Sequence, residues 1–98
     1  MTLEDFNNKI SGSFCVAVFS APWCGDCRRI DPVVKELESE FCIVKVNIDE
    51  DENLSTHFNI RRIPTFVFFK DGKEVGTRLI EPKSKVEILN QINDAKNS

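Results

Sequence analysis

The run Phe14-Cys15-Val16-Ala17-Val18-Phe19 passes through Ser20 into Ala21-Pro22-Trp23-Cys24-Gly25-Asp26-Cys27-Arg28-Arg29. The first part is an unbroken apolar run, rich in β-formers and too short for a free-standing helix, which predicts a central strand covered on both faces. The second part opens a helix. Across residues 25–40 the apolar side chains Ile30, Val33, Val34 and Leu37 recur at i, i+3, i+4 and i+7, while Lys35, Glu36, Glu38 and Glu40 turn outward. Pro32 within it lacks an N–H and crowds the preceding turn, so the pattern predicts one kinked helix rather than two. Two thiols therefore sit at a strand-to-helix junction. A sulfur at Cys24 faces the unpaired N–H groups of the first turn, whose partial positive charge favours a thiolate, and Cys27 lies one turn on along the same face. Such a pair can cycle between dithiol and disulfide while the backbone barely moves.

Outward from this junction the chain alternates helical and extended patterns. Thr2, with Asp5 in the capping-box position, starts a short helix over residues 3–10 that carries Phe6 and Ile10 on one face. Residues 41–48 alternate, with Cys42, Val44, Val46 and Ile48 on one side and Ile43, Lys45 and Asn47 on the other, as a strand does. A short helix beginning at Asp51 or Glu52 places Leu54 and Phe58 together, and Asn59 suits a left-handed cap. Residues 65–70 (Thr-Phe-Val-Phe-Phe-Lys) form another apolar strand, and Asp71-Gly72 returns the chain as a hairpin through residues 74–79. Ser84 with Glu87 caps a last helix, for which Val86, Leu89 and Ile92 supply an apolar stripe. The class is α/β, closed by an antiparallel hairpin and a helix.

At 98 residues, 41% hydrophobic and 30% charged, the chain suits a single domain over residues 1–98. The net charge of -3, with scattered cations, argues against nucleic acid or an anionic membrane as partner, and no apolar stretch reaches the roughly 20 residues of a membrane span. The first residues lack the basic start and apolar core of a signal peptide, so the expected location is cytoplasmic. The expected state is a monomer. Four cysteines are too few and too unevenly spaced for a secreted disulfide scaffold. The close Cys24/Cys27 pair then points to chemistry or to metal. A closed zinc site needs four ligands, and the candidates beyond that pair are Cys15, Cys42 and His57, of which both cysteines read as small core hydrophobes on strands. Redox chemistry without metal or organic cofactor is the stronger reading. Should Cys42 lie on an uncovered edge, it could oxidise or link two molecules.

Trp23-Cys24-Gly25-Asp26-Cys27, the Asp31-Pro32 pair in the following helix, Val46-Asn47-Ile48-Asp49, and Ile63-Pro64-Thr65 before a Phe-rich strand together resemble the thioredoxin family over nearly the whole chain. The resemblance implies the thioredoxin fold, a three-layer α/β/α arrangement. Because the chain begins at the helix that follows the family's usual first edge strand, a four-stranded mixed sheet is expected, with residues 41–48 at its edge. The resemblance also implies a protein-disulfide reductase with Cys24 as nucleophile and Cys27 as resolving thiol. Its substrates are disulfide-containing proteins, its electron donor is like thioredoxin reductase, and a cis Ile63–Pro64 bond lies beside the thiols. Trp23, Arg62, Ile63 and Pro64 are then expected to shape the substrate groove, and Gly25, Asp26 and Lys45 to modulate the site.

Departures from the family accompany the likeness. Asp26 stands where proline is common, Val18 aligns with a buried acid that assists proton transfer in many members, and Lys45 matches the lysine near that acid. A glycine of the family's substrate groove aligns near Ile80 or Glu81. Asp26 opposes thiolate formation at Cys24 unless Arg28 or Arg29 compensates, which favours a stronger reductant. It also reads as a general base for Cys27, or as a plain solvated first-turn carboxylate. Trp23 reads as docking surface or as core, Pro64 as a cis-loop residue or an ordinary strand-start proline, and Arg62 as a selector of acidic partners or a solvated side chain. Lys45 must reach water or find a partner such as Asp26. The competing functional readings are a glutaredoxin-like or isomerase-like redox protein, and a binding module of the same fold whose thiols are idle.

Overall fold

A computed structural model describes residues Met1–Ser98. Its elements run α1 (Leu3–Lys9), β1 (Cys15–Ser20), α2 (Gly25–Leu37), β2 (Cys42–Asn47), α3 (Glu52–His57), β3 (Thr65–Lys70), β4 (Lys73–Glu74), β5 (Leu79–Ile80) and α4 (Lys85–Lys96). The sheet order is β2-β1-β3-β4, with β5 also on β3; β1 and β2 are parallel and the remaining pairs antiparallel. β2 is an edge, as expected. The local signals hold where they are strongest. Thr2 Oγ1 accepts from the Asp5 N–H at 3.0 Å, Ser84 Oγ accepts from the Glu87 N–H at 3.3 Å, and α2 runs unbroken across Pro32. Asn59, Asp71 and Gly72 have positive φ, as a helix stop and a tight hairpin turn require.

Alternation along β1 and β3 divides the core. Cys15, Ala17 and Phe19 join Val67 and Phe69 on the face covered by α1 and α3, where Phe6, Ile10 and Leu54 pack. Val16 and Val18 join Phe66 and Phe68 on the opposite face, covered by Ile30, Val34 and Leu37 of α2 and by Ile88, Ile92 and Ala95 of α4. Burying an aliphatic or aromatic side chain is worth about 1.5–3 kcal/mol, so both layers hold β1 firmly between them.

Three sequence expectations are corrected. The buried stripe of α4 is Ile88, Ile92 and Ala95, while Leu89 is half-buried and Val86 is exposed; the Ser84 cap sets a helix start that turns Ile88 rather than Val86 onto the sheet. The return strand is split. Glu74 stands opposite Phe69 and Leu79 opposite Phe66, so residues 75–78 face only residues 67–68 and must bulge. Arg78 ties this bulge down, donating to both Glu74 carboxylate oxygens at 2.8 and 3.1 Å and to the Phe58 carbonyl at 2.6 Å. Thirdly, Cys15 and Cys42 are not independent core thiols. They face each other at the start of the β1–β2 ladder, Cα atoms 4.6 Å apart, and are joined as a disulfide.

At the bulge Gly76 has φ +69°, and a Cβ there would stand 3.0 Å from the Ala95 Cβ and 3.1 Å from its Cα. Helix α4 can approach this closely only because position 76 has no side chain. Gly76→Ala is expected to lower stability by about 2 kcal/mol or more, from the left-handed backbone and the clash combined, read as a lower urea midpoint with an unchanged slope.

Candidate redox site

After Ser20 the chain turns sharply: the Cys24 N–H donates to the Ala21 carbonyl at 3.2 Å, and Cys24 keeps an extended backbone as the N-cap of α2. The helix therefore starts one residue beyond Cys24, and the Cys24 Sγ occupies the place of a capping oxygen. It accepts the Cys27 backbone N–H at 3.2 Å. A sulfur in this position gains from negative charge, because the hydrogen bond and the aligned helix dipole both strengthen with it. Gly25, the first helical residue, has open space where a Cβ would be, so its backbone is not held there by crowding.

Cys24, Cys27 and Ala21 form a small buried cluster against Ile48 and Ile63. Cys24 is only 9% exposed, so it is recessed rather than fully open at the helix start. The cause is the loop before β3. Its Ile63–Pro64 peptide is cis, and the Ile63 carbonyl oxygen lies 3.8 Å from Cys24 Sγ. Pro64 is buried and Ile63 half-buried, while Arg62 is exposed and its carbonyl is held by Thr65 Oγ1. Trp23 is 65% exposed, and its Nε1–H donates to Asp49 Oδ2 at 2.7 Å. The indole is anchored by its edge and displayed beside the thiols, which removes the core reading of this tryptophan.

Cys27 is buried, and desolvation, reinforced by the neighbouring Cys24 sulfur, pushes its thiol from 9.0 to about 12. Cys27 thus holds its proton tightly. It lines an open hollow of about 720 Å³ together with Ser20, Ala21, Asp31 and Lys45. Lys45 is opposite Val18 in the β1–β2 register, on the α2 side of the sheet, and its ammonium finds Glu38 at 2.9 Å and Asp31 at 3.6 Å on α2. These carboxylates, more than Asp26, are its partners, and they raise its pKa. Asp26 itself pairs with Arg29, lies 3.9 Å from the Lys83 ammonium, and lines a separate hollow with Ile30 and Pro82. Of the two arginines that follow the motif, Arg29 is the one that meets Asp26. At the position aligned with the family's groove glycine, Glu81 adopts φ +52° and its N–H donates to the Pro64 carbonyl at 2.8 Å.

Sequence reasoning missed three residues here. Asp49, the anchor of Trp23, closes the stretch Val46-Asn47-Ile48-Asp49, where nothing local marks it as the partner of an indole 26 residues away. Asp31 and Glu38 are i+4 and i+11 from Cys27 on the same helix, and their meeting with Lys45 depends on how α2 lies across β2. The four sulfurs fall into two pairs at opposite ends of β1, since β1 begins at Cys15 and leads from Ser20 to Cys24.

A family model described as Thioredoxin matches residues 1–94. The thioredoxin of Chlamydia caviae is 38% identical over 96 residues, covering 95% of this chain and 93% of that protein. The thioredoxin of Bacillus subtilis is 36% identical over 93 residues, covering 90% and 89%. Among solved structures, Fasciola hepatica thioredoxin superposes with a TM-score of 0.81 at 35% identity, covering 95% of this chain and 90% of that one. A mutant thioredoxin from Halobacterium salinarum reaches 0.88 at 25% identity, covering 98% and 87%. A match of this length, falling on a chain that already carries a capped thiol pair under a cis-proline loop, places it in the thioredoxin family as a thiol–disulfide oxidoreductase.

Proposed function

We propose that the chain is a protein-disulfide reductase that works as one domain over residues 1–98. Cys24 attacks one sulfur of a substrate disulfide; the substrate S–S bond breaks, its other sulfur leaves as a thiolate, and a mixed disulfide with Cys24 forms. Cys27 then loses its proton and attacks the Cys24 sulfur. The reduced substrate departs, and two electrons have passed from the Cys24/Cys27 pair to it. A dithiol donor of the thioredoxin-reductase kind returns them. The observation that carries this reading is the asymmetry of the pair: Cys24 Sγ receives the Cys27 N–H, while the Cys27 thiol is buried and pushed up to about 12. One sulfur is set up to attack and the other to wait.

No acid stands at position 18 to take the Cys27 proton, and Asp26 is turned to Arg29 and Lys83. The hollow that Cys27 shares with Asp31 and Lys45 is open to the outside, so the proton leaves to solvent on that side. The exposed Trp23 indole, Arg62, Ile63 and Pro64 form the surface on which the substrate backbone is laid, beside the recessed Cys24. Asp26 adds a small negative field that helps raise the Cys27 thiol, and Gly25 acts on the backbone of the helix start. No helix of the chain is long and apolar enough to cross a membrane; the working state of the proposal is a cytoplasmic monomer.

Reduction of insulin by dithiothreitol, followed by turbidity, tests the reading. Cys24→Ser is expected to fall to the uncatalysed rate. Pre-reduced Cys27→Ser, freed of dithiothreitol and then mixed with insulin, is expected to hold a covalent mixed disulfide with the substrate through Cys24, visible on a non-reducing gel and lost on adding thiol. If Cys24→Ser kept its activity, or if binding survived in Cys24→Ser and vanished only when Trp23 was replaced, the binding-module reading would take over.

The raised Cys27 thiol also makes a stability prediction. The unfolded thiol ionises near 9 and the folded one near 12, so between these values the unfolded chain has lost more protons and high pH favours unfolding. The Cys27 contribution is intact below pH 9 and is lost as pH rises toward 12. Urea unfolding of the reduced and the oxidised protein is expected to show a gap that widens over this window, by at most about 1.4 kcal/mol per pH unit. Asp26→Asn is expected to move the pH profile of the resolving step only slightly, toward lower pH, in stopped-flow Trp23 fluorescence, because the Asp26 charge is the smallest of the contributions that raise the Cys27 thiol and its carboxylate is paired with Arg29.

A further inference from the structure

We propose that Cys15 and Cys42 form a second, reversible redox couple, a modification site separate from Cys24/Cys27 and independent of the reading above. Three observations carry it. Cys15 and Cys42 are register partners in the parallel β1–β2 pair, Cα atoms 4.6 Å apart, within the span that a disulfide bridges without backbone movement. Both sulfurs point to the α1 side and lie 3.7 Å from the Lys9 carbonyl oxygen at the end of α1. The pair is unequal in access: Cys15 is 1% exposed, whereas Cys42 is exposed at the start of the edge strand.

This inequality gives the couple a direction of attack. A small thiolate can reach the Cys42 sulfur, with Cys15 as leaving group. The Cys15–Cys42 bond breaks, the Cys15 thiolate takes a proton from water, and the small thiol is left as a mixed disulfide on Cys42. A second small thiolate attacks that mixed disulfide, releasing a small disulfide and the Cys42 thiol. Two electrons have entered the protein. In reverse, the Cys42 thiolate attacks a small disulfide such as oxidised glutathione, expelling one thiol, and Cys15 displaces the other to close the bond. Five strand steps of about 3.3 Å separate Cys15 from Ser20, so this pair and Cys24 stand roughly 17 Å or more apart and cannot exchange within one molecule.

Closing the bond has a structural consequence for the active site. Residues 15 and 42 are 27 apart in sequence, and the ring they close contains all of β1, the thiol junction and all of α2. Oxidation thus cross-links the β1-α2-β2 unit that presents Cys24 and Cys27, and also fixes the edge strand to its neighbour. The state of the second couple sets how readily that unit opens, while the sulfur chemistry at Cys24 is left unchanged.

The test is a redox titration of the intact chain in graded glutathione buffers. Trp23 fluorescence reads the Cys24/Cys27 pair, and alkylation after acid quenching, with peptide mass mapping, reads Cys15 and Cys42. The expected result is two separate two-electron transitions. In Cys42→Ser the mapped transition of the second pair disappears while the Trp23 transition and insulin reduction persist. In Cys15→Ser, Cys42 holds a stable mixed disulfide with glutathione. Wild-type protein oxidised only at Cys15/Cys42 is expected to melt at a higher temperature than the fully reduced form. Four results overturn the proposal: Cys15 and Cys42 free at every potential, the pair oxidised in every buffer, Cys42 linked between chains, or a melting temperature that ignores the pair. The Trp23 transition in the same samples reports on Cys24/Cys27 independently, so failure of one reading is distinguished from failure of the other.

Discussion

From Cys15 to Phe19 every residue of β1 is buried, pressed on one side by α1 and α3 and on the other by α2 and α4. A strand in that position has both hydrogen-bonding edges taken, by β2 and β3, and both faces covered, so it has little freedom to shift in register or direction. The end of such a strand is a fixed point, and α2 is launched from it within a few residues. The thiol pair inherits its precision from that geometry. Cys24 is the last residue before the helix, so its sulfur is placed by the rigidity of β1 behind it and by the first turn of α2 ahead of it. The loop before β3 completes the enclosure, because β3 is the other neighbour of β1 and delivers Ile63 and Pro64 to the same end of the sheet.

The site that results separates the two sulfurs electrostatically although they lie one helical turn apart. Cys24 is offered a backbone N–H and the positive end of a helix. Cys27, a turn further in, gives up solvent without an equivalent compensation, and its proton is held. Val18 packs into the apolar layer between the sheet and α2, and the charged groups along α2, from Asp26 in its first turn to Glu38 at its C-cap, find their partners at the surface. Lys45 crosses to Asp31 and Glu38, and Asp26 turns to Arg29. All of these are partly exposed ion pairs, worth up to about 1 kcal/mol each, so they tune the surroundings of the site more than they hold the fold together.

What the sequence revealed, and what it hid, follows from the range of the interactions. β1, α2, the capping boxes and the Asp71-Gly72 turn are written in neighbouring residues, and each was readable from a window of a few positions. The cis Ile63–Pro64 bond and the role of the thiol pair were legible only through resemblance, since nothing local distinguishes that proline from one at an ordinary strand start. The split of the return strand was hidden because the close approach of Ala95 to Gly76 at the bulge joins residues far apart in the chain. The buried face of α4 is hard to read from sequence for a related reason: Val86, Leu89 and Ile92 make a plausible stripe, and Ala95 is too small to weigh in a hydrophobic pattern. Trp23 and Asp49, like Lys45 and its carboxylates, met only once β2 and α2 were laid beside β1.

The cysteines of β1 and β2 belong to the same class of hidden contact, and they show why composition alone was a poor guide. Read singly, Cys15 and Cys42 are small residues at inward-facing positions, and burial was a sufficient account of each. Parallel pairing changes that account, because register is a joint property of two strands and is set by everything that holds β1 and β2 in place. Once Val44 and Val46 are seated beside Ala17 and Phe19, the first residues of the two strands are forced opposite each other. The same constraint that aims Cys24 at one end of β1 therefore brings a second pair of sulfurs together at the other. A single rigid strand positions both pairs, each by its own end, and the distance between them is the length of that strand.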